Sequence, residues 1–469
     1  MNLLRLCFTV LTTAALWAQA PLPDTPAGRR FSQFADAFNR ADREALRVFL
    51  EQHQPQELKQ LDNLLGFRGN TGGFELLKVE SSAAAKIVVL MKEKDSDQYA
   101  RAEMEVEAAE PHGVTSRSIR GIPRPAEFPA PARLADPELV AALRALLDKQ
   151  AAQDKFSGAV QVVRGEKTVF EGVYGRADRE KNLANKLDSQ FRLGSMNKMF
   201  TAVAVAQLAQ QGKIRLEDPI GKYLPDYPNR DVAGKVTIHQ MLTHTGGTGD
   251  IFGPEFTKNR LSLRELKDYV ALYGQRGPKY EPGSRWEYSN YGFLLLGVVV
   301  EAVAKKSYYD YVQEHIFKPA GMTASDSLPE EAAVAKRTVG YMRRDGAEWR
   351  PNNNTLPYRG TSAGGGYSTV GDLVRFGRAL LGHKLLNAEY TRLATTGKVS
   401  TSRGQYAYGF FDSTEDGVRN FGHGGGAPGM NGDLQIYPDA GYIVAVLANL
   451  DPPAAGRISS FVGARLAAK

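Results

Sequence analysis

An extended segment over residues 190–193 gives way, at Gly194-Ser195-Met196-Asn197-Lys198-Met199-Phe200, to a strongly apolar helix over 196–209 closed by Gly212. Ser195 and Lys198 are three apart, so on a helix they share one face a turn apart and the amine can reach the hydroxyl. A serine hydroxyl is a poor nucleophile at its own pKa. A neighbouring amine and the positive end of a helix both favour its alkoxide. A bare Ser-x-x-Lys also describes a capping serine followed by a surface lysine, so the rest of the chain must decide between them.

The N-terminus reads as a secretory signal: Arg5, an apolar run over 6–17, then Ala18-Gln19-Ala20 as a small-x-small cleavage site. At about twelve residues the run is too short to span a bilayer. Cys7, the one cysteine, lies inside it and away from the cut, so neither a lipid anchor nor a disulfide is expected. The expectation is a mature chain from about Pro21, periplasmic or secreted, with no transmembrane segment. The net charge of +7 is spread along the chain without a basic run, which argues against a nucleic-acid partner.

Residues 21–122 read as a small α+β accessory domain. Phe31, Phe34, Ala35 and Phe38 recur at helical spacing, and Asp42 can cap a second helix carrying Leu46, Phe49 and Leu50. Leu58, Leu61, Leu64 and Leu65 give a third. Strands follow over 74–79, 86–91, 99–108 and 114–120, the third alternating Ala102, Met104 and Val106 against Arg101, Glu103 and Glu105. With the phrase Ala37-Phe38-Asn39-Arg40-Ala41-Asp42, this order loosely resembles cone-shaped nuclear-transport-factor or cystatin-like folds. Pro123, Pro125, Pro129 and Pro131 stiffen a linker over 123–135. A second domain over 136–469 opens with a helix capped by Asp136. A hairpin over 158–163 and 168–173 follows, then the Ser195 helix, then a mainly helical stretch. Strands return over 407–411, 419–423, 433–437 and 442–448, and a helix over 454–466 closes the chain. Early hairpin and late strands are expected to share one antiparallel sheet, with the first and last helices on one face and the Ser195 helix on the other.

Three further stretches support Ser195. In Glu287-Tyr288-Ser289-Asn290, Tyr288 and Asn290 are two apart in a loop before an apolar helix, so both can point into one cleft. A phenol takes a proton from serine only if nearby cations lower its pKa, as Lys198 could; Asn290 can donate and accept. In Gly422-His423-Gly424-Gly425-Gly426, the glycines let backbone approach a ligand, and an N–H from this run could join that of Ser195 in an oxyanion hole. Thr361 to Thr369 gives another glycine-rich loop able to border a cleft.

Ser195-x-x-Lys198, Tyr288-x-Asn290 and His423-x-Gly425, in this order, resemble the serine hydrolases of the β-lactamase and penicillin-binding superfamily, in its class C-like branch. That branch holds class C β-lactamases, D-alanyl-D-alanine carboxypeptidases, D-aminopeptidases and β-lactamase-like carboxylesterases. The resemblance covers about residues 136–469 and implies a β-lactamase-like fold: an antiparallel sheet flanked by helices, plus a helical lobe. It implies Ser195 as nucleophile, Lys198 as its activating partner and Tyr288 as general base. It further implies substrate binding by Asn290, His423, Gly425 and Gly426, the last giving the second oxyanion N–H. His423 stands where class C β-lactamases keep a lysine, which favours peptidase or esterase chemistry over β-lactam hydrolysis. Gly246 stands where the family's His-Thr-Ser-Gly phrase has serine. The expected activity is acyl-enzyme hydrolysis of an ester or amide in a small-molecule or peptide substrate, with peptidoglycan a candidate. A β-lactamase, or a penicillin-binding protein that recognises peptidoglycan without turnover, are the alternatives. No metal or organic cofactor is expected.

Ser362 sits in a Gly-x-Ser-x-Gly pattern, but Asn352 to Arg359 before it is no strand, as a nucleophile elbow requires. His239 and His244, five apart, lack further ligand spacing and read as structural residues at a helix end. His53, His112, His315 and His383 read as surface residues. Trp286 and Tyr291 fit either cleft or core.

Overall fold

The computed structural model describes residues 22–343, 348–402 and 404–467. The expected signal segment, with Cys7 and the cut near Ala20, lies outside them. The chain divides into two compact units, the first running to Pro129 and the second holding the described residues from Ala130 on.

In the first unit, Thr25 and Asp42 cap helices α1 (Pro26–Arg40) and α2 (Arg43–His53) with side-chain oxygens, each cap worth about 1 kcal/mol. The third helix, α3 (Leu61–Thr71), starts later than Leu58 suggests. The preceding Pro55–Gln60 forms a 3-10 turn, and none of its residues is buried to reward a longer helix. Strands β1 (Phe74–Ser82), β2 (Lys86–Glu93), β3 (Tyr99–Val106) and β4 (Val114–Ile122) make an antiparallel meander. Ala102, Met104 and Val106 pack with Phe31, Phe34 and Phe38 in one core, as the alternation along β3 requires. Phe128 packs on Leu90 and Tyr99, so this part of the proline-rich stretch belongs to the first unit.

The second unit is built on an eight-stranded antiparallel sheet. Its strands are β5 (Gly158–Arg164), β6 (Lys167–Tyr174), β7 (Val399–Thr401), β8 (Gly404–Tyr406), β9 (Phe411–Glu415), β10 (Val418–Ala427), β11 (Met430–Tyr437) and β12 (Tyr442–Ala448). Their order is β7-β8-β9-β10-β11-β12-β5-β6. The strand expected over 407–411 is instead a turn: the Ala407 N–H donates to Phe410 O, and Gly409 takes a φ of +71°. Helix α4 (Asp136–Ala152) is capped at Ala135, whose N–H donates to the Glu138 carboxylate. Asp136, expected as the cap, accepts from the Tyr442 hydroxyl instead.

Successive residues of β5 and β12 face opposite ways, and both faces are apolar. Val160, Val162, Val444 and Val446 pack with α4 and with the last helix, α7 (Ala454–Gly463). Ala159, Val163, Ala445 and Leu447 pack with α5 (Asn197–Gln210), in which every residue from Asn197 to Ala209 is buried. A helix buried on all sides lies inside a core, and the turn that leads into it sets Ser195 beside β10, an inner strand of the sheet. Residues between α5 and β7 form the helical lobe, including α6 (Asn290–Ala304). Among the described residues no helix is long and apolar enough to cross a membrane.

Candidate active site

Ser195 lies on a 3-10 turn, Gly194–Met196, that leads straight into α5. Two glycine-rich runs close on this turn. From one side, Gly365 N–H donates to Gly194 O and Leu193 N–H donates to Gly366 O. From the other comes β10. A β-carbon on Gly425 would lie 1.8 Å from Leu193 O, and one on Gly194, whose φ is +55°, would lie 2.9 Å from the Gly426 nitrogen. These glycines therefore admit the chain that carries Ser195, in addition to any ligand. They also bring the Gly426 amide beside the residue preceding the serine.

Lys198 is fully buried on the first turn of α5. Its Nζ lies 3.4 Å from Ser195 Oγ and 2.7 Å from Asn290 Oδ1, and it also donates to the Ala363 carbonyl. Burial pushes the Lys198 amine down to about 7, against the attraction of Asp250, which raises it. Near neutral pH the unprotonated amine is thus well populated. Such an amine has two N–H groups and one lone pair. Asn290 and Ala363 can take the two N–H groups, which leaves the lone pair for the Ser195 hydroxyl.

Asn290 opens α6, where Ser289 caps the helix by accepting from the Gly292 N–H at 2.9 Å. Its Nδ2 donates to both Asp250 carboxylate oxygens, at 3.0 and 3.1 Å. Both ends of this amide are engaged within the protein, so it orients Lys198. Sequence reading missed Asp250. The signal was a carboxylate in a glycine-rich loop, three residues past Gly247, and nothing in the spacing aims it at Asn290.

Tyr288 is half-buried, with Lys198 Nζ 4.7 Å from its ring centroid. His423 is buried on β10, its ring 6.4 Å from that of Tyr288 and its Nε2 3.2 Å from the Tyr406 hydroxyl. Ser195, Lys198, Tyr288, Asn290, His423 and the Gly425-Gly426 backbone therefore meet at one place, although they come from three separate stretches of sequence. Ser362 does not join them. It is fully buried, and its hydroxyl donates to Leu294 O against the helix at Gly297. His239 bonds the Tyr408 hydroxyl at 2.7 Å. Tyr291 is core, its hydroxyl 3.1 Å from that of Tyr227. Among the described residues no three His, Cys, Asp or Glu side chains are grouped to hold a metal.

The profile of the family described as Beta-lactamase matches residues 143–469, well over half of the chain. The chain belongs to the beta-lactamase family. Penicillin-binding protein 4 of Amycolatopsis lactamdurans is 30% identical over 311 residues, 62% of this chain and 80% of the relative. The crystal structure of a penicillin binding protein from Bacillus halodurans superposes with a TM-score of 0.64 at 33% identity, covering 69% of this chain and 98% of that one. A D-stereospecific amidohydrolase from Streptomyces sp. gives a TM-score of 0.58 at 29% identity, over 71% of this chain and 98% of that one. The beta-lactamase fold thus accounts for the second unit, and it is preceded here by a small domain of helices and a four-stranded sheet. Members of this family are typically serine hydrolases.

Proposed function

We propose that this member of the beta-lactamase family hydrolyses an ester or amide through an acyl-enzyme on Ser195. One observation carries the reading: a buried, carbonyl-anchored Lys198 amine, depressed to about 7, within 3.4 Å of the Ser195 hydroxyl. In this reading Lys198 keeps the hydroxyl activated as it attacks the carbonyl. The oxyanion rests on the N–H groups of Ser195 and Gly426. Tyr288 acts as general base together with Lys198: the serine proton moves to the neutral amine, the ammonium so formed lowers the pKa of the phenol beside it, and Tyr288 hands its proton to the leaving group and regains one from Lys198. Water then releases the acyl group along the same path.

For the substrate we propose a D-amino-acid peptide or a short-chain ester. The similarity to a D-stereospecific amidohydrolase supports the first. His423, in place of a permanent lysine cation, weakens the case for efficient β-lactam hydrolysis. Peptidoglycan-derived peptides fit the same chemistry. We further propose export, with cleavage near Ala20, and an accessory role for the first unit. The test is mass spectrometry of the protein mixed with a penicillin, a D-Ala-D-Ala peptide and a p-nitrophenyl ester, each beside Ser195→Ala. An adduct on the wild type alone supports the reading. No adduct and no turnover with any of the three would favour a binding protein.

A further inference from the structure

His244 has no part in the chemistry assigned above, yet it contacts Tyr288 and both of its chain neighbours. It is 1% exposed and holds a φ of +60°, a left-handed backbone that a histidine adopts only at a cost. Its carbonyl accepts from the Glu287 N–H at 3.0 Å. Its Nδ1 accepts from the Ser289 N–H at 3.1 Å. These two bonds grip the backbone on either side of Tyr288. The imidazole itself lies under the phenol, ring centroids 4.3 Å apart, and is flanked by Phe293 and Tyr406 at 4.9 and 4.6 Å.

The protonation state follows from these contacts. Nδ1 accepts from a backbone N–H, so it carries no proton, and the proton of the neutral ring sits on Nε2. Burial and the nearby Lys198 and His423 hold the ring well below the ordinary histidine pKa, so it stays neutral. Nε2 is buried, with no hydrogen-bond partner among the described residues. The ring contact and the Nδ1 bond, both made from a left-handed backbone, act on the Tyr288 segment together.

We propose that His244 is the positioning residue for Tyr288, gripping the backbone on both sides of it and supporting its ring. The proposal rests on Tyr288 being the general base, and the experiment separates the two. Four proteins are compared for p-nitrophenyl ester hydrolysis: wild type, His244→Asn, Tyr288→Phe and the double variant. Asparagine tolerates the left-handed backbone and can accept from the Ser289 N–H, so this variant keeps the fold while losing the ring. His244→Ala, which removes both, is measured alongside, with thermal unfolding of each variant.

His244→Ala should lower kcat/KM about 100-fold with KM nearly unchanged, the size expected when a reacting group is displaced by ~1 Å. His244→Asn should recover part of that loss. In the Tyr288→Phe background, His244→Asn should cost less than about twofold, because residues acting through one another are not additive. Equal losses in both backgrounds would overturn the proposal and leave His244 a general packing residue, as would an unaffected His244→Asn paired with an unaffected His244→Ala. Should His244→Ala fail to fold, the Asn cycle alone decides. Full activity in Tyr288→Phe would instead sink the assignment of the base, whatever His244 does.

Discussion

Lys198 Nζ lies 2.7 Å from Asn290 Oδ1, and the same amide holds the Asp250 carboxylate from its other end. A buried amine is thereby linked to a carboxylate through one neutral group, without a direct ion pair. The arrangement tunes the lysine while keeping it deprotonatable, and its consequences are measurable.

The first concerns pH. Activity that needs neutral Lys198 should rise through an apparent pKa near 7 in kcat/KM for an uncharged ester. Lys198→Met should lose this limb and about 1,000-fold in rate. Stability moves in the same direction. The folded pKa lies below the ordinary 10.5, so between about 7 and 10.5 the unfolded chain binds more protons, and stability at this site rises with pH across that window. Urea unfolding at several pH values, wild type beside Lys198→Met, measures it. A contribution that falls with pH there would contradict the burial argument.

The second concerns Asp250. Its charge raises the Lys198 pKa against burial. Asp250→Asn should therefore shift the acidic limb of the rate profile to lower pH, in a protein that folds normally. A shift to higher pH would show that the carboxylate acts by some other route.

The third concerns Gly425. A methyl group there would meet Leu193 O at 1.8 Å, a backbone atom that cannot swing aside. Gly425→Ala should destabilise the protein by at least about 1–3 kcal/mol and cut activity through the displaced Ser195 turn. Wild-type unfolding and wild-type rates in this variant would mean the turn and β10 are not in such contact.

Much of this was legible before any coordinates, for identifiable reasons. Both faces of β5 and β12 are apolar, so a central sheet between helix layers followed from patterning. Ser195 and Lys198 are three apart, on a 3-10 turn and the first turn of the α5 that follows it, so their meeting followed from spacing. The position of the Phe411 strand did not follow, because Ala407 and Phe410 are as apolar as a strand and only the positive φ of Gly409 makes them a turn. Asp250 escapes the sequence, and His244 reads there only as a structural residue at a helix end, for a different reason. Each acts on a residue some forty positions away, and a lone Asp or His in a loop carries no periodic signal. The glycines of 424–426 were read as room for a ligand, whereas Gly425 also makes room for Leu193.

The fourth prediction uses the decoy. Ser362 is fully buried with its hydroxyl on Leu294 O, so Ser362→Ala should keep ester hydrolysis within about twofold of wild type and change stability by about 1 kcal/mol. Loss of turnover in this variant at unchanged stability would reopen the choice of nucleophile.

The central claim is that Ser195 carries the acyl group. Intact-mass measurement during turnover of a slow p-nitrophenyl ester tests it most directly, followed by peptide mapping of the adduct. The account predicts a mass increase of one acyl group on the peptide containing Ser195, absent in Ser195→Ala. An adduct mapped elsewhere, or turnover that survives Ser195→Ala, would contradict it.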